Sequence, residues 1–249
     1  MYKFDVKKTT AELVAWVKEQ FDTTASPDTK AVIGISGGKD SSVAAAVCVK
    51  ALGADRVVGI LMPQGEQADI DCARKLVGHL GIKSYEINVG ESVNSVMTAV
   101  GKAVEINDQA RVNTPARIRM VTLYAVGACI NARVINTCNA SEDYVGYSTK
   151  YGDAAGDISP LSDLTVTEVI AIGDELGLPY ELTHKVPIDG LCGRTDEDNL
   201  GFTYATLDHY IRGETDLSDQ PEIKENIERR HRANLHKLRL MPKFVYKPE

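Results

Sequence analysis

Apolar positions along this chain fall into short blocks separated by longer amphipathic stretches. Lys30 to Ile35 (Lys-Ala-Val-Ile-Gly-Ile) is short and apolar enough to be a buried strand, and Arg56 to Met62, Lys83 to Val89 and Arg133 to Thr137 are three further short strands. Between them the spacing is that of helices. Residues 10 to 21 put Leu13, Val14, Trp16 and Val17 on one face, with Thr10 as a candidate cap. Ser41 to Leu52, stopped by Gly53, and Asp69 to Leu80, stopped by Gly81, are the next helices. Ser92 to Val104, Ala116 to Ala132, Thr165 to Leu176 and Lys224 to Lys237 complete the set. Glu142 to Ser159 and Lys185 to Asn199, rich in Gly, Asp and Thr, are expected to be loops. Strands alternating with helices imply βαβ units. The expected fold is therefore α/β: a doubly wound, Rossmann-like parallel sheet with helices on both faces, residues 1–249 forming one domain. Ligands of such a sheet bind beyond the carboxyl ends of its strands.

Composition narrows the partners. With 249 residues, 43% hydrophobic and 25% charged, the chain can bury a core without disulfides or metals. Its longest apolar run, Val43 to Val49, is far below the roughly 18 residues of a membrane span. Met1 to Asp5 lacks the apolar segment of a secretion signal, so a cytoplasmic protein without membrane association is expected. The net charge of −7 excludes a general basic footprint for nucleic acid. Anionic ligands must then be caught by local clusters. The five cysteines are scattered, none as Cys-x-x-Cys, and are expected to be reduced thiols. The five histidines show no zinc-ligand spacing.

The turn after the first strand carries the most information: Gly34-Ile35-Ser36-Gly37-Gly38-Lys39-Asp40-Ser41. Two successive glycines uncover backbone amides, and the helix that follows adds positive partial charge, which together suit phosphate. The glycines alone would equally fit a strand-to-helix turn without a ligand. The dinucleotide fingerprint Gly-x-Gly-x-x-Gly is absent, and a Walker A loop fails because Ile33 occupies its first glycine position and Asp40 stands where Ser or Thr belongs. Asp40 beside phosphates would repel them unless a cation lies between, a role suited to Mg²⁺; otherwise it is an ordinary helix cap.

Ser36 to Ser41 resembles the SGGxDS loop of the ATP-pyrophosphatase superfamily, in which that loop holds the pyrophosphate part of ATP. Further matches select the NAD synthetase family. These are Ala116-Arg117-Ile118-Arg119-Met120, Thr137 with Glu142, Thr149-Lys150-Tyr151-Gly152-Asp153 with Asp157, Thr195-Asp196-Glu197 with Leu200, Gly201 and Tyr204, and His236-Lys237. The resemblance covers nearly the whole chain in order. It implies ATP-dependent amidation of deamido-NAD through an acyl-adenylate, with AMP and pyrophosphate released, by a homodimer with its dinucleotide site near the dimer interface. By motif matching, Gly34 through Ser41 and Thr137 bind ATP, and Asp40 with Glu142 hold Mg²⁺. Arg117, Lys150, Asp157, His236 and Lys237 contact deamido-NAD. Asp40, Glu142 and Asp153 are the catalytic carboxylates. Glutamine-dependent members carry an additional amidohydrolase domain for which this chain has no room, so free ammonia is the expected donor unless a separate subunit supplies it.

Two positions depart from the family pattern. Val166 stands where a lysine commonly reaches ATP, and Ile188 follows Pro187 where a hydroxyl residue is common. Lys39, Lys185 or Arg194 could supply the missing positive charge. The departures leave two alternatives open: adenylation of a different substrate, and a nucleotide-binding homologue without turnover. From charge alone, Arg117 and Arg119 could be surface ion-pairing residues, and the basic stretch from Arg229 to Lys243 a solvated helix face. His79, His184 and His209 are expected to serve packing or the surface.

Overall fold

The computed structural model describes residues 2–184 and 195–247. Its centre is a parallel sheet in the order β3-β2-β1-β4, made of β1 (Lys30–Gly34), β2 (Val57–Leu61), β3 (Lys83–Glu86) and β4 (Ala132–Ile135). Ala31 pairs with Val57 on one side of β1, and Lys30 with Ala132 on the other. The chain thus winds outward through β2 and β3, then returns to the opposite side of β1. The crevice between the ends of β1 and β4 is the switch point at which such sheets bind ligands.

Alternation along β1 divides the core. Ala31, Ile33 and Ile35 pack with α1 (Val6–Thr24), α2 (Lys39–Leu52), α3 (Ile70–Leu80), α7 (Val166–Glu175) and α8 (Tyr180–Thr183). Val32, with Val58, Ile60 and Val134, packs on the other face against α4 (Gly90–Gly101) and α5 (Asp108–Ile130). A third cluster joins Val145 of α6 (Ala140–Val145), Val166, Leu200 at the end of α9 (Asp196–Leu200), Leu207 of α10 (Tyr204–Ile211) and Ile227 of α11 (Pro221–Leu238). Helices cover both faces of the sheet, as the α/β pattern predicts.

Several boundaries move for local reasons. The first helix begins at Val6 because Asp5 caps it by accepting from the Lys8 amide. Thr10, the expected cap, is instead buried within the helix. The long helix begins eight residues before Ala116, because Asn107 accepts from the Ala110 amide and the helix absorbs Pro115. Arg117 and Arg119 therefore sit in mid-helix, away from the positive end of its dipole. Within the expected loop Glu142 to Ser159, Asn139 nucleates the short α6 by capping the Glu142 amide. The last helix starts at Pro221, whose fixed φ suits a first helical turn. Of the expected loop Lys185 to Asn199, residues 185–194 lie outside the described residues, and 196–200 form α9.

Candidate active site

The turn after β1 is organised by its own side chains. Ser36 Oγ accepts from the Gly38 amide at 3.2 Å and lies 3.1 Å from Ser41 Oγ, and Ser41 and Ser42 hydroxyls donate to the Gly38 carbonyl. Gly37 has φ +81°, a left-handed conformation that favours glycine, and a Cβ there would come within 2.7 Å of the Ala73 amide nitrogen. The turn is thus pressed against the start of α3. Gly38 is the N-cap of α2 and offers no side chain, so the first amides of the helix remain open toward the switch point.

Asp40 is not the cap. It lies in the first turn of α2, where its Oδ1 accepts from Asn139 Nδ2 at 2.9 Å. The Oδ1 of the same asparagine accepts from the Glu142 amide at 3.0 Å. A single fully buried residue therefore positions both carboxylates, one from each side of the β1–β4 crevice. Sequence reasoning passed over Asn139. Its signal was an asparagine three residues before a glutamate, the spacing of a helix-capping pair.

Lys39 folds inward and bridges the pair. Its Nζ is 3.0 Å from Asp40 Oδ2 and 3.3 Å from Glu142 Oε1, and 5.7 Å from the centre of the Tyr204 ring. Burial, followed by the nearby Asp40 charge, pushes the Glu142 carboxyl up, against the opposing pull of Lys39. Burial disfavours the Lys39 ammonium, but the two carboxylates outweigh it and raise its pKa. Val166 is buried in the third cluster with Tyr204. Of the three residues considered as its compensation, Lys39 is at the site, whereas Lys185 and Arg194 lie outside the described residues, as does Ile188.

A second group of expected residues converges where α11 ends. Lys237 Nζ donates to the Gly146 and Ser148 carbonyls at 2.7 and 2.8 Å, and Lys150 Nζ donates to the His236 carbonyl. Arg117 Nε reaches the Lys150 carbonyl at 3.3 Å. Gly146, at φ +70°, lies so close to α11 that a Cβ would meet Asn234 at 2.0 Å. Asp157 stands beside β4, its Oδ2 accepting from the Val134 amide at 2.8 Å. Asp153 organises its own loop, with Oδ1 accepting from the Thr149 amide at 3.0 Å. Thr137 follows β4 and is half-buried.

Asn136, also unforeseen, ties this loop to β4. Its Nδ2 donates to the Asp153 and Ala155 carbonyls, and its Oδ1 accepts from the Cys138 amide and Ser159. Burial and three surrounding carboxylates push the Cys138 thiol well up, away from the thiolate a nucleophile requires. His184 stacks on Tyr180 and His209 pairs with Glu214, and neither imidazole joins the contacts of this site.

The residues present fit a magnesium ion. Asp40 and Glu142 offer oxygen donors that already converge on one cation, the Lys39 ammonium. No cluster of three or more His, Cys, Asp or Glu suited to a metal occurs among the described residues. Two carboxylates and a metal that completes its shell with water and phosphate oxygen are therefore the chemistry on offer.

That chemistry belongs to the α/β enzymes that handle nucleotide phosphates at a switch-point crevice. Comparison with known proteins narrows the class. The NAD synthase family pattern matches residues 9–248. The NH(3)-dependent NAD(+) synthetase of Thermococcus sibiricus is 37% identical over 251 residues, covering 100% of this chain and 96% of that protein. Among solved structures, NMN synthetase from Francisella tularensis superposes with a TM-score of 0.88 at 32% identity, covering 98% of this chain and 100% of that one. NH3-dependent NAD synthetase from Campylobacter jejuni superposes with a TM-score of 0.81 at 26% identity, with 98% and 100% covered. The chain belongs to the NAD synthase family.

Proposed function

We propose that this chain amidates deamido-NAD to NAD with ammonia and ATP. The observation that carries the reading is the Asp40–Glu142 pair, one acid beside the glycine-rich turn and the other across the β1–β4 crevice, in a chain matched by the family pattern over residues 9–248. A nicotinate oxygen attacks the α-phosphorus of ATP, the α–β phosphoanhydride bond breaks, and pyrophosphate leaves. Ammonia then adds to the acyl carbon and loses a proton, and the acyl C–O bond breaks to release AMP.

The Ser36 to Ser41 turn, with the open amides of the first turn of α2, binds the departing pyrophosphate, and Thr137 contacts ATP from the end of β4. Asp40 and Glu142 hold Mg²⁺, which when bound neutralises charge on the phosphates. Arg117, Lys150, Asp157, His236 and Lys237 orient deamido-NAD, so that its carboxylate is presented to ATP rather than to water. Asp153 holds the loop that carries Lys150.

The reading includes a homodimer. On α5, Val121 is 65% exposed and Val112 and Tyr124 are also exposed, alongside Val96 and Val100 of α4. Val121 and Tyr124 follow Arg117 by one and two turns of α5, so a second copy covering them would lie next to the dinucleotide site. Among the described residues no helix is long and apolar enough to cross a membrane. We place the enzyme in the cytoplasm, with ATP, deamido-NAD and ammonia as its partners.

The likeness to NMN synthetase favours a second reading, in which the acid amidated is the corresponding mononucleotide. Incubating the purified chain with ATP, Mg²⁺ and ammonium, and with either acid, separates the two. Equal amounts of NAD and AMP from deamido-NAD support the first reading. Faster turnover of the mononucleotide supports the second. AMP formation from neither acid by protein that still binds ATP would overturn both.

A further inference from the structure

We propose that Lys39 is a tethered counter-cation that holds the place of the divalent metal between Asp40 and Glu142 until nucleotide arrives, so that metal and lysine occupy the acid pair in turn. This rests on the assignment of those carboxylates to Mg²⁺ under the proposed function. It concerns how the site is filled.

Position is the first ground. Lys39 is the first residue of α2, where the helix dipole disfavours a cation, and an exposed lysine there would extend into water. Its side chain instead turns inward, 5% exposed, and its ammonium meets one oxygen of each carboxylate. The Tyr204 ring faces the same ammonium. The second ground is charge. One ammonium already lies against an oxygen of each acid in a largely buried site. A divalent ion bonded to the same two oxygens would lie within a few ångströms of the ammonium, and the two cations would repel strongly in a largely buried site. One must leave. The third ground is that the acid pair is not built by Lys39. Asn139 fixes Asp40 through its amide nitrogen and caps the helix that carries Glu142. The Asp40 carboxylate and the backbone that carries Glu142 are therefore held in place whichever cation lies between the two acids.

The consequence is an order of binding. Without nucleotide, metal must displace a well-paired lysine and binds weakly. A polyphosphate at the turn offers the displaced ammonium new oxygens, and Lys39 sits at the junction of that turn with α2. Metal binding and nucleotide binding then reinforce each other through one side chain.

The test is Mn²⁺ binding to the purified full chain, read by the loss of free-ion electron paramagnetic resonance signal. It is run with and without an ATP analogue carrying a methylene bridge between the α and β phosphates. In the nucleotide-free state, Lys39→Met is expected to bind Mn²⁺ about tenfold more tightly than the unaltered chain, and to bind the analogue about tenfold more weakly. Lys50→Met removes the same charge from the far end of α2 and should leave Mn²⁺ affinity unmoved. Unchanged or weaker Mn²⁺ binding by a folded Lys39→Met protein overturns the proposal. So does an equal gain from Lys50→Met, which would reduce the effect to net charge. If Lys39→Met does not fold, Lys39→Gln and the unaltered chain remain decisive, because Mn²⁺ retained by the unaltered chain with analogue in no greater amount than chain alone and analogue alone retain together also overturns it. Since Mn²⁺ binding is read without turnover, failure here is distinct from failure to form NAD.

Discussion

The two ends of the site are built in opposite ways. The phosphate end is one contiguous stretch, Ser36 to Ser42, whose hydroxyls satisfy its own backbone and whose glycine adopts the required φ. The dinucleotide end is assembled from residues about ninety positions apart. Lys237 holds the carbonyls of Gly146 and Ser148, Asn234 holds that of Val145, and Lys150 reaches back to His236. A local turn is ready as soon as β1 and α2 form. A long-range clasp exists only once α11 has docked, and it opens if α11 frays. Damage to the first end should therefore abolish chemistry, whereas damage to the second should weaken substrate binding and leave the phosphate end intact.

The largest effect is expected at the acid pair, where the two halves of the crevice meet. Glu142→Gln should lower kcat by at least about a hundredfold while the circular dichroism spectrum stays native. A smaller loss would mean that Asp40 alone suffices. Next comes the local turn. Gly37→Ala forces a Cβ toward the Ala73 nitrogen at an unfavourable φ, so ATP binding measured by calorimetry should be lost or fall by more than about tenfold, with about 1–3 kcal/mol of stability.

The long-range clasp should respond differently. Lys237→Met removes two hydrogen bonds between α11 and the loop, and is expected to raise the KM for deamido-NAD about tenfold while leaving ATP affinity within about twofold. Equal changes in both constants would erase the distinction between the two ends.

The smallest effect concerns pH. Burial, opposed by a hydrogen bond from Ser148 and reinforced by Asp153, pushes the Asp143 carboxyl up from 3.8 to about 6. The folded chain then holds a proton that the unfolded chain has released. Stability contributed by this group is full below about pH 4 and is lost as pH rises to about 6. Asp143→Asn should flatten the fall in Tm over that interval by a few degrees, read by thermal melts between pH 4 and 7.

The same contrast explains what sequence reading reached. The β1 turn, the alternating strands and the helix faces are written in neighbouring residues, so periodicity and turn chemistry exposed them. The resemblance named Asp40, Glu142, Lys150, His236 and Lys237, but no local pattern shows that the last three meet. Asn139 and Asn136 went unnoticed because an asparagine is unremarkable until its partners are known. Thr10 and the start of α5 were misplaced because Asp5 and Asn107 cap earlier than the apolar face begins.

Sequence alone therefore determined the α/β class, the strand order's raw material and the anion-binding turn, because each depends on contacts within a few residues. Tertiary structure alone decided that Asn139 carries both carboxylates, that Lys39 lies between them, and that α11 closes over the loop at Gly146. Those arrangements join segments about a hundred residues apart, and only the pairing of β1 with β4 and the packing of α6 and α11 in the third core bring them within hydrogen-bonding distance.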